Sequence, residues 1–208
     1  MESLAVLAMI AILVVTASPT FVRLLRDRRV NRAAMHLVDY FRTGRTRAMG
    51  RGQPMLVVWD STSGLSNSEP GTPGVLTLLE PIVTGAAVAT GCTQTVWTNI
   101  QAAGTAGGVM QVSLMDFKNR LYTYTNASFN DDATPQAPHT HAEICFTPSG
   151  RSYIRFASGD VFRPIQGVAS FAVRNVDVTT ASNAVCGAAE VGCRTVFVPP
   201  NGVARMAL

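Results

Sequence analysis

The sequence predicts an α+β fold in which one long N-terminal helix packs on an antiparallel β-sandwich. Three observations predict it. Residues 4–22 are apolar almost throughout, and Glu2 is the lone charge before Arg23. Beyond Phe21, the apolar residues Val30, Ala33, Ala34, Leu37, Val38, Phe41, Ala48 and Met49 recur at helical spacing, with Arg and Asp filling other positions. From Met55 the period shortens to alternating runs punctuated by Gly, Pro and Asn, which is the signature of antiparallel strands. The chain therefore divides into a helix over 1–53 and a β-rich globular domain over 54–208. Residues 1–22 of the helix have the length needed to cross a bilayer, and 23–53 are amphipathic.

Within the helix, Pro19 removes a backbone donor and is expected to kink or loosen it. Gly44 weakens it further along, and Gly50, Gly52 and Pro54 end it. Met55–Asp60 (MLVVWD), apolar and β-branched, is the first strand. Residues 61–74 are loop by composition, and Val75–Leu79 is a short strand. The stretch 80–106 is rich in Ala, Gly and Thr and offers only 95–97 as a strand. Residues 109–115 and 120–125 both alternate, and 116–119 read as the turn of a hairpin between them. Residues 126–141, polar with two prolines, are a loop. Residues 143–147 and 152–157 flank the turn Pro148-Ser149-Gly150. A strand over 168–174 and a loop over 175–192 follow; then 194–198 and 203–207 flank Pro199-Pro200-Asn201-Gly202. The two hairpins at 146–155 and 196–205 resemble one another.

Charged residues make up 14% of the 208, and the net charge of +4 is carried by arginine with Lys118 as the single lysine. Arg23, Arg26, Arg28, Arg29, Arg32, Arg42, Arg45, Arg47 and Arg51 crowd the helix. A basic helix beside an apolar span points to anionic lipid headgroups or another acidic surface; the plain alternative is a solvated face. The cysteines are Cys92, Cys145, Cys186 and Cys193, and four cysteines permit three pairings. Only Cys186 and Cys193 are close, with six residues between them, so Cys186 with Cys193 and Cys92 with Cys145 is the preferred pairing, implying an oxidising compartment such as the periplasm. The alternative is four buried thiols. The positive-inside tendency would place the arginines in the cytoplasm. The cysteines place them outside, and they are given more weight. Without a basic n-region the start is not an ordinary secretory signal, although Ala17-Ser18-Pro19 mimics a cleavage site.

No catalytic constellation can be assembled. There is no Gly-x-Ser-x-Gly elbow, and His36 lies on the helix. The glycine-rich GTAGG at 104–108 lacks a following Lys. His139, His141 and Glu143 alternate as metal ligands on a strand would, but Pro135 and Pro138 place the histidines in a loop, and no fourth ligand follows. Asn130-Asp131-Asp132 reads as a turn, since the oxygen spacing of a calcium loop is missing. The chain is read as a non-enzyme without metal or cofactor. Arg151, Arg155, Arg194 and Arg205 fall at the ends of the two hairpins as candidate DNA contacts; scattered surface arginines are the commoner explanation.

Met1-Glu2-Ser3-Leu4 followed by an apolar run, with Pro19 seventeen residues after Glu2, resembles the mature start of a type IV pilin-like protein. Ile144-Cys145-Phe146-Thr147-Pro148-Ser149-Gly150-Arg151 and Arg194-Thr195-Val196-Phe197-Val198-Pro199-Pro200-Asn201-Gly202 resemble two segments of its FimT/GspH-like minor pilins and pseudopilins. The helix segment with Arg45, Arg47, Ala48 and Arg51-Gly52 is similar as well. The resemblance covers the helix and the hairpins but not 61–140, and it sets Met1 about three residues after a processed start, without the leader.

What the resemblance implies is assembly. Glu2 would meet the amino terminus of a neighbouring subunit in a filament core, where the alternative is a residue at the bilayer edge. Pro19 would mark where the helix loosens on leaving the bilayer. The implied protein sits in the inner membrane with its domain in the periplasm, is processed by a prepilin peptidase, and joins other minor pilins and the major pilin at the tip of a type IV pilus to prime polymerisation. A minor pseudopilin of a type II secretion system is the close alternative. A DNA-binding subunit for transformation is a reading of another class, although of the Gly-Arg-x-Arg ending only Arg205 matches. A membrane-anchored adhesin using 61–140 is the remaining one.

Overall fold

The computed structural model describes residues 2–61, 74–81, 91–94, 97, 110–113, 121–127, 139–175, 186 and 192–207. Side chains are described within these except at 2–5, 7, 8, 10–12, 15–19, 94, 110–113 and 121–127. One helix, α1 (Glu2–Arg51), runs unbroken through Pro19 and is about 75 Å long at 1.5 Å per residue. It ends at Gly52, whose φ of 64° is the left-handed conformation that closes a helix cheaply only at glycine.

Among the described residues ten strands follow: β1 (Met55–Asp60), β2 (Val75–Leu79), β3 (Met110–Ser113), β4 (Leu121–Ala127), β5 (His141–Phe146), β6 (Ser152–Arg155), β7 (Arg163–Pro164), β8 (Ala169–Asn175), β9 (Cys193–Val198) and β10 (Arg205–Ala207). They form two sheets with antiparallel pairing, one ordered β3-β2-β1-β5-β6-β7 and the other β10-β9-β8-β4. The hairpins at Pro148–Gly150 and Pro199–Gly202 form as the sequence predicts. The predicted hairpin of 109–115 with 120–125 does not. β3 pairs with β2, and β4 crosses to the other sheet to pair with β8. The turn signal at 116–119 reports only a local bend; strand partners are set by which face each strand buries. The stretch at 95–97 is described only at Trp97, which bridges Pro81. The features at 104–108 and 130–132, and most of the loops at 61–74 and 175–192, lie outside the described residues.

One core joins three surfaces. Val30, Ala33, Ala34, Leu37, Val38, Tyr40, Phe41 and Ala48 of the helix meet Met55, Val57, Trp59, Leu76 and Ile144 of the first sheet and Phe171, Val173, Val196 and Val198 of the second. Phe171 touches both Phe41 (ring centroids 4.9 Å) and, edge-on, Trp59 (5.7 Å), so three elements interlock through one ring. The predicted stripe holds except at Met49, which is exposed, while Tyr40 is an addition to it. A second apolar cluster covers the outer face of the first sheet. It gathers Leu56, Cys92, Cys145 and Phe162, with Val58, Leu79, Trp97 and Tyr153 packed against it.

Gly44 is a point of closest approach rather than a weak spot in the helix. A Cβ there would sit 2.9 Å from Val57 Cγ2 and 3.4 Å from both Leu78 and Phe146, whereas at Gly50 it would meet nothing within 4 Å. The two glycines should therefore respond oppositely in urea unfolding. Gly44→Val is expected to destabilise by about 1–3 kcal/mol through overpacking, and Gly50→Ala to stabilise by roughly 0.5–1 kcal/mol through helix propensity.

Candidate functional site

The helix presents two different surfaces to the surroundings. Over 30–48 its apolar stripe is buried, and polar ties from its own arginines hold it down. Arg42 Nε donates to Ala204 O (3.1 Å). Arg45 donates from Nε to Gly150 O (3.3 Å) and from Nη2 to Asn201 O (2.8 Å). Arg51 Nη1 lies 2.5 Å from Glu80 Oε1, with Arg47 Nη1 at 3.8 Å. Further back, Asp27 accepts from Arg194 Nη2 (2.9 Å). Toward the N-terminus the helix leaves the domain, and Val6, Met9, Leu13, Val14, Phe21, Val22, Leu24 and Leu25 are exposed. A run of bulky apolar side chains in water is the surface most in need of a partner.

Arg45 is where the two similar hairpins meet. Its guanidinium takes a carbonyl from each turn, Gly150 and Asn201, and Ser152 links them again by donating from N to Pro200 O (2.8 Å) and from Oγ to Pro199 O (3.2 Å). Gly150 has φ 80°, and a Cβ on it would lie 2.9 Å from Arg45 Nη2, so the turn glycine is needed twice over. Arginine is a common residue in the sequence of this helix, and nothing in its spacing marks Arg45 as the one inserted between two turns.

The histidine loop is also revised. β5 begins at His141, so His141 and Glu143 share the outer face of the first sheet. Glu143 is buried (side chain 4% exposed) and is held by Arg155 Nε (2.7 Å) and Nη2 (2.6 Å) and by His141 Nε2 (3.2 Å). Arg155 also stacks on the Phe162 ring, 4.3 Å from its centroid. Burial alone would raise the Glu143 carboxyl, but the hydrogen bonds and charges of His141 and Arg155 outweigh it and hold the group below its ordinary range. His139 stacks on Phe156 at 3.7 Å, and burial lowers its pKa. Among the described residues, no group of three His, Cys, Asp or Glu is placed to hold a metal.

Of the four arginines named as candidate DNA contacts, two are held by acids. Arg155 is committed to Glu143 and Arg194 to Asp27, while Arg151 and Arg205 are exposed. Arg151 borders a groove of about 350 Å³ with Thr93, Ser149 and Tyr153. The cysteines pair as Cys92–Cys145 and Cys186–Cys193. Closing the longer loop, 53 positions, is worth about 4 kcal/mol in the chain-entropy account. The Glu2 and Pro19 side chains lie outside the described residues. Among the described residues no helix is long and apolar enough to cross a membrane, so the span expected over 1–22 gains no support there. Comparison with known proteins finds no matching family model, no similar curated protein and no similar solved structure.

Three tests follow from these contacts. Arg45→Met is expected to destabilise the fold by about 1–3 kcal/mol in urea unfolding, since it leaves two turn carbonyls without a charged donor. The folded Glu143 pKa is depressed, so its stabilisation is full above the unfolded carboxyl value and is lost as pH falls through the folded one. Acid unfolding should thus be shallower in Glu143→Gln. Arg155→Met at neutral pH should cost about 3–5 kcal/mol by stranding a buried charge, and adding Glu143→Gln should recover part of it.

Proposed function

We propose that this chain is a minor, pilin-like subunit that is anchored in the inner membrane by its N-terminal helix and assembles through that helix at the tip of a type IV pilus, where it helps prime polymerisation. The observation that carries the reading is the division of α1: residues 30–48 are spent on the chain's own domain, while Val6, Met9, Leu13, Val14, Phe21, Val22, Leu24 and Leu25 are left exposed. A helix of fifty residues extended this far beyond its domain gains nothing for the domain's own stability, but it provides a rod on which other subunits can pack.

Three further points support it. The apolar run 4–22 in the sequence has the length of a bilayer crossing. The two disulfides favour an oxidising compartment for the domain, and hence the periplasmic side. Glu2, isolated in an apolar stretch, calls for a neutralising partner, which a neighbouring subunit's amino terminus would supply. Processing by a prepilin peptidase and association with other minor pilins and the major pilin belong to the same reading.

In cells carrying the rest of the assembly system, Glu2→Ala should leave the protein in the carbonate-resistant membrane fraction while lowering its share of sheared filaments several-fold. Quantitative immunoblotting of both fractions reads this. Normal incorporation of the variant removes the pairing role, and loss of the wild-type chain on carbonate washing removes the membrane anchor.

A further inference from the structure

The helix arginines fall into two classes. Arg42, Arg45, Arg47 and Arg51 all bond to the domain. Arg23, Arg28, Arg29 and Arg32 make no hydrogen bond or ion pair among the described residues, and Arg23, Arg28 and Arg32 are exposed. Arg28 and Arg32 are one helical turn apart, pointing away from the stripe that Val30, Ala33, Ala34 and Leu37 bury. Exposed Phe21 and Val22 stand just before Arg23, and exposed Leu24 and Leu25 stand between it and Arg28, following the exposed Val6, Met9, Leu13 and Val14 along the helix.

We propose that Arg23, Arg28, Arg29 and Arg32, with Phe21, Val22, Leu24 and Leu25, form a collar that binds anionic phospholipid headgroups at the membrane surface. The inference rests on the membrane placement above and adds its lipid selectivity. The passage from exposed apolar side chains to arginines along one helix is what selects lipid over an acidic protein. Arginine stems lying along exposed apolar side chains, with guanidinium groups lifted toward water, suit a boundary that is apolar on one side and anionic on the other. Distance agrees. If Arg23 stands at the headgroup boundary, Arg28 and Arg29 lie about 8–9 Å and Arg32 about 14 Å further out along the helix, the first two near one screening length at physiological salt and all of them well within the roughly 30 Å of low salt. Asp27, the only acid in the collar, is already paired with Arg194, which leaves its charge neutralised and the collar's excess positive charge directed outward. The guanidinium forks match phosphate oxygens in shape and charge.

The test uses the full chain, diluted from detergent into a mixture of two vesicle populations that differ in density. One is phosphatidylcholine alone; the other is phosphatidylcholine with an equal part of phosphatidylglycerol. After flotation, the ratio of protein in the two populations is the readout. The wild-type chain should favour the anionic vesicles, and Arg28→Gln/Arg32→Gln should reduce that preference about tenfold at low salt. The charge-matched control Arg151→Gln/Arg205→Gln should keep it. Flotation without preference, or equal losses in the two double variants, overturns the collar while leaving the membrane reading intact. A chain that floats with neither population overturns both. Unchanged preference in Arg28→Gln/Arg32→Gln with loss of filament incorporation assigns the collar to an acidic protein surface instead, and also overturns the inference.

Discussion

The packing of one helical stripe into the junction of two sheets is the constraint on which the rest depends. Phe41, Phe171 and Trp59 come from the helix, the second sheet and the first sheet, and they touch in one cluster. Neither sheet closes the main core by itself, because the helix fills the space between their inner faces. This is why Gly44 is small: the helix axis must come close enough for Val57 and Phe146 to reach the same stripe. It is also why the helix can be so long. Only its second half is needed to complete the core, so the first half is free to serve another surface.

Charge is arranged around that core by two rules. Where burial is deep, charges are paired. Glu143 is enclosed by Arg155 and His141, and its pairing decides a balance that burial alone would tip the other way. Where burial is partial, arginines donate to backbone carbonyls at turns, as Arg42 and Arg45 do, and supply donors that the turns do not find within themselves. Tyr40 follows the first rule in neutral form. Burial pushes its hydroxyl up, against a hydrogen bond with the Leu78 backbone and the charge of Arg47.

Much of this architecture was legible in the sequence. Helical spacing from Val30 to Ala48 marked the buried stripe, an apolar β-branched run marked β1, alternation marked β3 and β4, and Pro-x-Gly and Pro-Pro-Asn-Gly marked two turns, all of which follow from local rules. What was not legible is long-range. The partner exchange of β3 and β4, the start of β5 at His141 just past Pro138, and the placing of Gly44 against Val57 all depend on residues tens of positions away. The same limit applies to the site. Arg155 and Arg194 read as a potential basic patch because the acids that neutralise them, Glu143 and Asp27, lie on other elements. The exposed apolar rod was visible from composition, but the commitment of Arg45 to both hairpins was not.

The ties from the helix to the domain have a mechanical consequence. Asp27 to Arg194, Arg42 to Ala204, Arg45 to Gly150 and Asn201, and Arg51 to Glu80 are spread over about 36 Å of helix axis. A pull along that axis would strain them together, in shear, instead of opening them one after another as peeling would. The apolar stripe beneath them would resist sliding through its whole length, and the tension would be divided between both sheets at once.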